Sequence, residues 1–162
     1  MGKGMEKNSV NENMLQATIS FAIFAILIIG GGAYFVFNKP LIGPVFLGLS
    51  LVGLIFLKFF KIKIRSVYPD IIFGIVDNGI LLFGVILGGT YAGIGGAIIG
   101  GAAGNAITDG LGGLSEGYMA EILRKKRIKN ERTSLSTMIG KMMGCLIGAG
   151  VGLSLIWLIS LF

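Results

Sequence analysis

Residues 70–89 read DIIFGIVDNGILLFGVILGG, and residues 93–116 read GIGGAIIGGAAGNAITDGLGGLSE. Glycines recur there at four-residue steps: Gly84 and Gly88, then Gly96, Gly100 and Gly104. On an α-helix that spacing gathers the small residues on one face. Such faces let helix backbones approach closely where no hydrophobic force drives them together, as inside a bilayer. The pattern returns at Gly140, Gly144, Gly148 and Gly152. The same two stretches hold Asp77, Asp109 and Glu116 among apolar residues. A carboxylate at mid-bilayer depth costs roughly 2.5–3.5 kcal/mol on insertion scales, so it marks a functional site by default.

Working outward, the composition fits a membrane protein. The chain has 162 residues, 54% of them hydrophobic, and only 14% are charged. A soluble domain carries about 25% charge. Mean hydropathy is +0.85. The fold class is therefore all-α, a polytopic membrane helical bundle held by glycine-rich helix packing, with no separate soluble domain. The sequence contains no His and one Cys, Cys145, which lies in an apolar run. An internal disulfide and a thiolate cluster are both excluded.

Five spans are predicted: 15–37, 41–60, 70–89, 93–123 and 135–161, behind a polar, frayed tail at 1–14. The first apolar run has no small-residue cleavage site and is expected to be a retained span. Pro44 is tolerated in the first turn of the second span, where early N–H groups have no helical partner. With the N-terminus in the cytoplasm, the tail and the loops after the second and fourth spans face inward. Those segments hold 12 of the 14 Lys and Arg residues. That asymmetry predicts an integral protein of the cell or inner membrane, N-terminus cytoplasmic and C-terminus outside. Lys141, near the inner end of the fifth span, is expected to snorkel. Arg124, Lys125, Lys126 and Arg127 are expected to contact anionic lipid of the inner leaflet, and the +6 net charge reports topology and lipid contact, not nucleic acid.

Asn105, Asp109 and Glu116 share one broad helix face, with Thr108 and Ser115 beside it. If the third and fourth spans are antiparallel neighbours, Asp77 and Glu116 come to similar depth. Asp77, Asn105, Asp109 and Glu116 then offer hard oxygen ligands, and Met119 adds a thioether, with Met138, Met142 and Met143 near the same end. Oxygen ligands suit Mg, Ca or Mn, and the mixed set also admits Fe(II). Competing readings exist for each residue. Glu116 and Glu121 could pair with Arg124, Lys125 or Lys141 at the interface. Asp109 could be a protonated packing residue, Asp77 could be satisfied by the helix dipole, and Cys145 could be a small apolar packer. The glycines could be packing and nothing else.

At these residues the chain resembles the vacuolar iron transporter family, exporters of divalent iron and manganese. Asp77, Phe83 and Gly88 match the spacing of that family's first helix, whose mid-membrane Asp binds metal. Residues 101–119 resemble its second helix, which runs on into the cytoplasm. Where the family carries a Met and a Glu, Gly113 and Asn105 stand here, and a short basic loop replaces its Glu-rich metal-binding module. The resemblance implies a dimer with the path between subunits.

The function expected from the sequence is transport of an Fe2+- or Mn2+-like cation, coupled to protons, through the intramembrane carboxylates. No permanently bound cofactor is expected; the divalent cation is cargo. The rival is a non-catalytic accessory subunit of a larger membrane complex. An enzyme is not expected, because no activated nucleophile stands near a base. Expected partners are membrane lipids and either a second copy of the chain or other membrane subunits.

Overall fold

The computed structural model describes residues 2–35, 39–126 and 132–159. Every regular element among them is helical: α1 (Gly2–Phe35), α2 (Lys39–Phe59), α3 (Ile64–Lys126) and α4 (Ser134–Ile159). All four are long and apolar enough to cross a membrane. Residues 36–37 and 160–161 of the expected first and fifth spans lie outside the described residues, as does most of the loop between α3 and α4.

The tail and the span boundaries differ from expectation. The tail expected to fray is helical from Gly2 and forms the first turns of α1. Helix propagation from an established helix is far easier than nucleation, so the apolar segment that begins at Met14 can carry the polar turns before it. The third and fourth expected spans also share one element, α3, of 63 residues. Helical geometry fails inside it only at Ala92 (φ −138°, ψ 24°) and Gly93 (φ 60°, ψ −145°). The conformation of Gly93 is one that essentially only glycine adopts. Two residues suffice to turn the chain back, and the limbs at 64–91 and 94–126 lie side by side.

Glycine sets the register of this hairpin. A Cβ at Gly88 would strike the carbonyl of Gly96, and one at Gly84 would strike that of Gly100; each clash is reciprocal. Further along, Gly104 lies against the Ile80 carbonyl and Gly112 against the Phe73 ring. Both limbs thus advance by four residues per contact, as the small-xxx-small spacing requires.

The same device docks α4 alongside the first limb. Gly140 meets Val67 and Asp70, Gly144 meets Ile71 and Gly74, Gly148 meets Ile75, and Gly152 meets Leu82. The positions rise together, so α4 and the first limb run parallel. In contrast, α2 runs antiparallel to α4, with Gly53 against Met143 and Gly150 against Leu47 and Gly43. Phe24 of α1 stacks edge-on against Phe56 of α2 at 5.4 Å between ring centroids. The ends of α2, the first limb and α4 enclose the buried core of Leu57, Val67, Leu135, Ile139 and Met143, joined by Ala17 of α1.

Hydrogen bonds set the ends near this core. The Ile62 N–H donates to the Leu57 carbonyl and the Lys61 N–H to that of Lys58. Together they form the Schellman ending of α2, with Lys61 in the left-handed position (φ 54°) that glycine usually takes. At the start of α4, Thr133 and Ser136 cap each other: the Ser136 N–H donates to Thr133 Oγ1, and the Thr133 N–H to Ser136 Oγ. The third helix begins at Ile64, not at Asp70, with Pro69 inside it. Pro69 is the sixth residue of that helix, past its first turn, so it removes the hydrogen bond that would reach the Arg65 carbonyl. Elsewhere the helices turn large apolar side chains outward: Ile26, Ile29, Ile98 and Ile99 are all exposed, which suits a lipid environment.

Candidate functional site

The hairpin register brings Asp77 of the first limb opposite Thr108 of the second. Thr108 is buried, and its hydroxyl donates to Asp77 Oδ1. The carbonyls of Gly104 and Asn105 also lie 3.1 and 3.0 Å from Thr108 Oγ1. A hydroxyl has one proton, so these three acceptors compete. The carboxylate makes the strongest bond because it is charge-assisted.

Asp109 follows Thr108 by one residue, a rotation of about 100° on an α-helix. It therefore turns away from the first limb and is exposed. Its partner there is Asn105, one turn back, whose Nδ2 donates to Asp109 Oδ2 at 3.0 Å. Glu116 lies about two turns beyond Asp109. Its carboxylate pairs with Lys141 of α4 at 3.1 Å and lies 3.8 Å from Arg132. Lys141 also stands over the Phe73 ring, 5.0 Å from its centroid.

The expected single site of Asp77, Asn105, Asp109, Glu116 and Met119 is thus divided. No three His, Cys, Asp or Glu side chains among the described residues are grouped to hold a metal ion. The expectation placed Asp77 level with Glu116 by counting from span ends. The glycine contacts instead set Asp77 level with Thr108, which leaves Glu116 opposite Pro69 and Asp70. The Met119 side chain lies outside the described residues. Met143 is buried in the apolar core and Met138 packs against it, so neither thioether serves a polar site. The basic cluster is described only in part. Arg124 is exposed, and Lys125 pairs with Glu121 at 3.0 Å. The Lys126 side chain and Arg127 lie outside the described residues.

Sequence reasoning missed Asp70. It was read only as the start of a span, yet it is buried, 1% exposed. Its Oδ1 accepts from Arg132, just before α4, and its Oδ2 has no hydrogen-bond partner among the described residues. Asp70, Arg132, Glu116 and Lys141 thus form a four-charge network that joins both limbs of α3 to α4. Asp70 and Arg132 are 62 residues apart, and no local pattern links them. The one sequence signal was a lone Asp between Pro69 and an apolar run.

Five acids of α3 therefore fall into two kinds. Asp70, Glu116 and Glu121 face bases, whereas Asp77 and Asp109 have neutral partners among the described residues. No protein family, curated protein or solved structure matches this chain.

Proposed function

We propose that the protein is an integral membrane transporter of a divalent cation, with Asp77 and Asp109 as the carboxylates that meet the cargo. One observation carries this reading. Each of the two has a neutral partner, Thr108 or Asn105, while the other acids named above are engaged by Lys or Arg. An acid held by a base already has a counter-charge within the protein. An acid deep in a span with only neutral partners keeps its charge available, and a cation or proton is its natural guest. Oxygen donors at Asp77, Thr108, Asn105 and Asp109 suit a hard or borderline ion such as Mn(II) or Fe(II).

In this reading each limb of α3 crosses the bilayer, giving five crossings in all. The α1 start and the connections after α2 and α3 then share the cytoplasmic side, as the positive-inside rule favours. Asp109 is exposed and Asn105 half-buried on one flank of the second limb, beside exposed Ala102, Ala106 and Gly113. That position supports a second subunit over this face, because a polar pair against lipid is costly.

The test is Mn(II) and Fe(II) flux into proteoliposomes for wild type, Asp77→Asn, Asp109→Asn and the control Glu121→Gln. Flux should be lost in the first two variants and kept in the control. Absence of wild-type flux under any proton gradient, with both Asn variants folded, overturns transport. It favours the second reading, a non-transporting subunit of a larger membrane complex. That reading is supported by the lack of a three-ligand cluster among the described residues.

A further inference from the structure

The outer side of the α3 hairpin carries a cavity of about 740 Å³, within the roughly 300–1,000 Å³ range of ligand sites. Its walls are Ile72, Val76, Leu111, Leu114 and Tyr118, with Phe73 also lining it. The five wall residues are all exposed, so the groove opens to the surroundings of the helices. It reaches from Thr108 to Tyr118, about 15 Å at 1.5 Å per residue, or half of a hydrocarbon core of about 30 Å.

At its loop-side end the groove meets a second, polar cavity of about 160 Å³, and Pro69, Phe73 and Ser115 line both. Asp70, Glu116 and Arg132 complete the polar one. Lys141 borders it through its ion pair with Glu116. An apolar trough about half a bilayer long therefore ends in a pocket that holds both signs of charge.

We propose that this composite site binds one phospholipid whose headgroup carries both a phosphate and an ammonium with N–H donors, as phosphoethanolamine does. The acyl chain lies in the trough between the limbs. The phosphate faces Arg132 and Lys141, and the ammonium faces Asp70 and Glu116. Charge complementarity selects a zwitterion, because the four side chains supply two charges of each sign. The ammonium must carry hydrogen because Asp70 Oδ2 is a buried acceptor with no donor among the described residues. A choline headgroup has no N–H to offer, and an anionic headgroup brings a net negative charge to a site whose two acids and two bases already balance.

The test uses the purified full-length protein and native mass spectrometry with equimolar lipids of identical acyl chains. Phosphatidylethanolamine, its N-methyl and N,N-dimethyl forms, phosphatidylcholine and phosphatidylglycerol are compared. One lipid per chain should be retained. The three N–H-bearing headgroups should exceed choline and glycerol by roughly tenfold, the ratio that one charge-assisted hydrogen bond supplies. Asp70→Asn should abolish this ranking, and Leu111→Trp, which fills the trough, should lower retention of all lipids. The headgroup series needs only wild-type protein, so it decides the matter even if Asp70→Asn fails to fold. Equal retention of dimethylethanolamine and choline lipids overturns the proposal, as does a preference for the glycerol headgroup. A lipid-free dimer that Leu111→Trp splits also overturns it, because a second copy would then occupy the trough.

Discussion

Replacing Gly84 by Ala tests whether glycine contacts hold the α3 hairpin together. The new Cβ would stand in clash with the carbonyl oxygen of Gly100 on the other limb. The obstacle is backbone, which has no rotamer to change. The limbs must therefore separate, and the contacts of Gly88 with Gly96 and Ile80 with Gly104 loosen with them. Overpacking of this kind costs about 1–3 kcal/mol. The helix propensity of Ala returns about 0.5–1 kcal/mol relative to Gly, so a net loss of about 1–2 kcal/mol is expected. Gly110 is the internal control, since a Cβ there meets nothing within 4 Å and Gly110→Ala keeps only the propensity gain. The double variant Gly84→Ala/Gly100→Ala should lose less than the sum of the single losses, because the first methyl has already parted the limbs. Thermal unfolding in detergent, followed by far-UV circular dichroism, compares wild type with the three single variants and the double variant. If Gly84→Ala melts at or above Gly110→Ala, the limbs do not depend on close approach and the argument fails.

Two further substitutions test other parts of the structure. Lys61→Gly should stabilise the fold by about 1 kcal/mol, the cost of a left-handed conformation in a residue with a Cβ; a lower melting temperature would show that the α2 ending is not held in that conformation. Arg132→Gln should cost about 3–5 kcal/mol by leaving the Asp70 carboxylate buried without its cation, and adding Asp70→Asn should restore most of the loss; equal destabilisation of the single and double variants would exclude this pairing as the source.

Some of this molecule was legible in the chain without its fold. Apolar runs of bilayer length made it all-helical, because in lipid a lone segment satisfies its backbone only as a helix. The four-residue glycine spacing marked which faces pack closely, since that spacing is local and its geometry is that of the helix itself. Lys141 and Glu116 were legible as candidate ion partners because both lie near the same expected span ends. Register across the hairpin was not legible in this way. It depends on where Ala92 and Gly93 reverse the chain and on which glycine meets which carbonyl. That register sets Asp77 against Thr108, turns Asp109 outward and carries Glu116 to Arg132 and Lys141. Asp70 and Arg132 meet only because α4 docks beside the first limb through Gly140 and Gly144, a contact between distant segments that no helical period encodes. Local periodicity decides which side of a helix is small or polar, but only tertiary packing decides what that side faces.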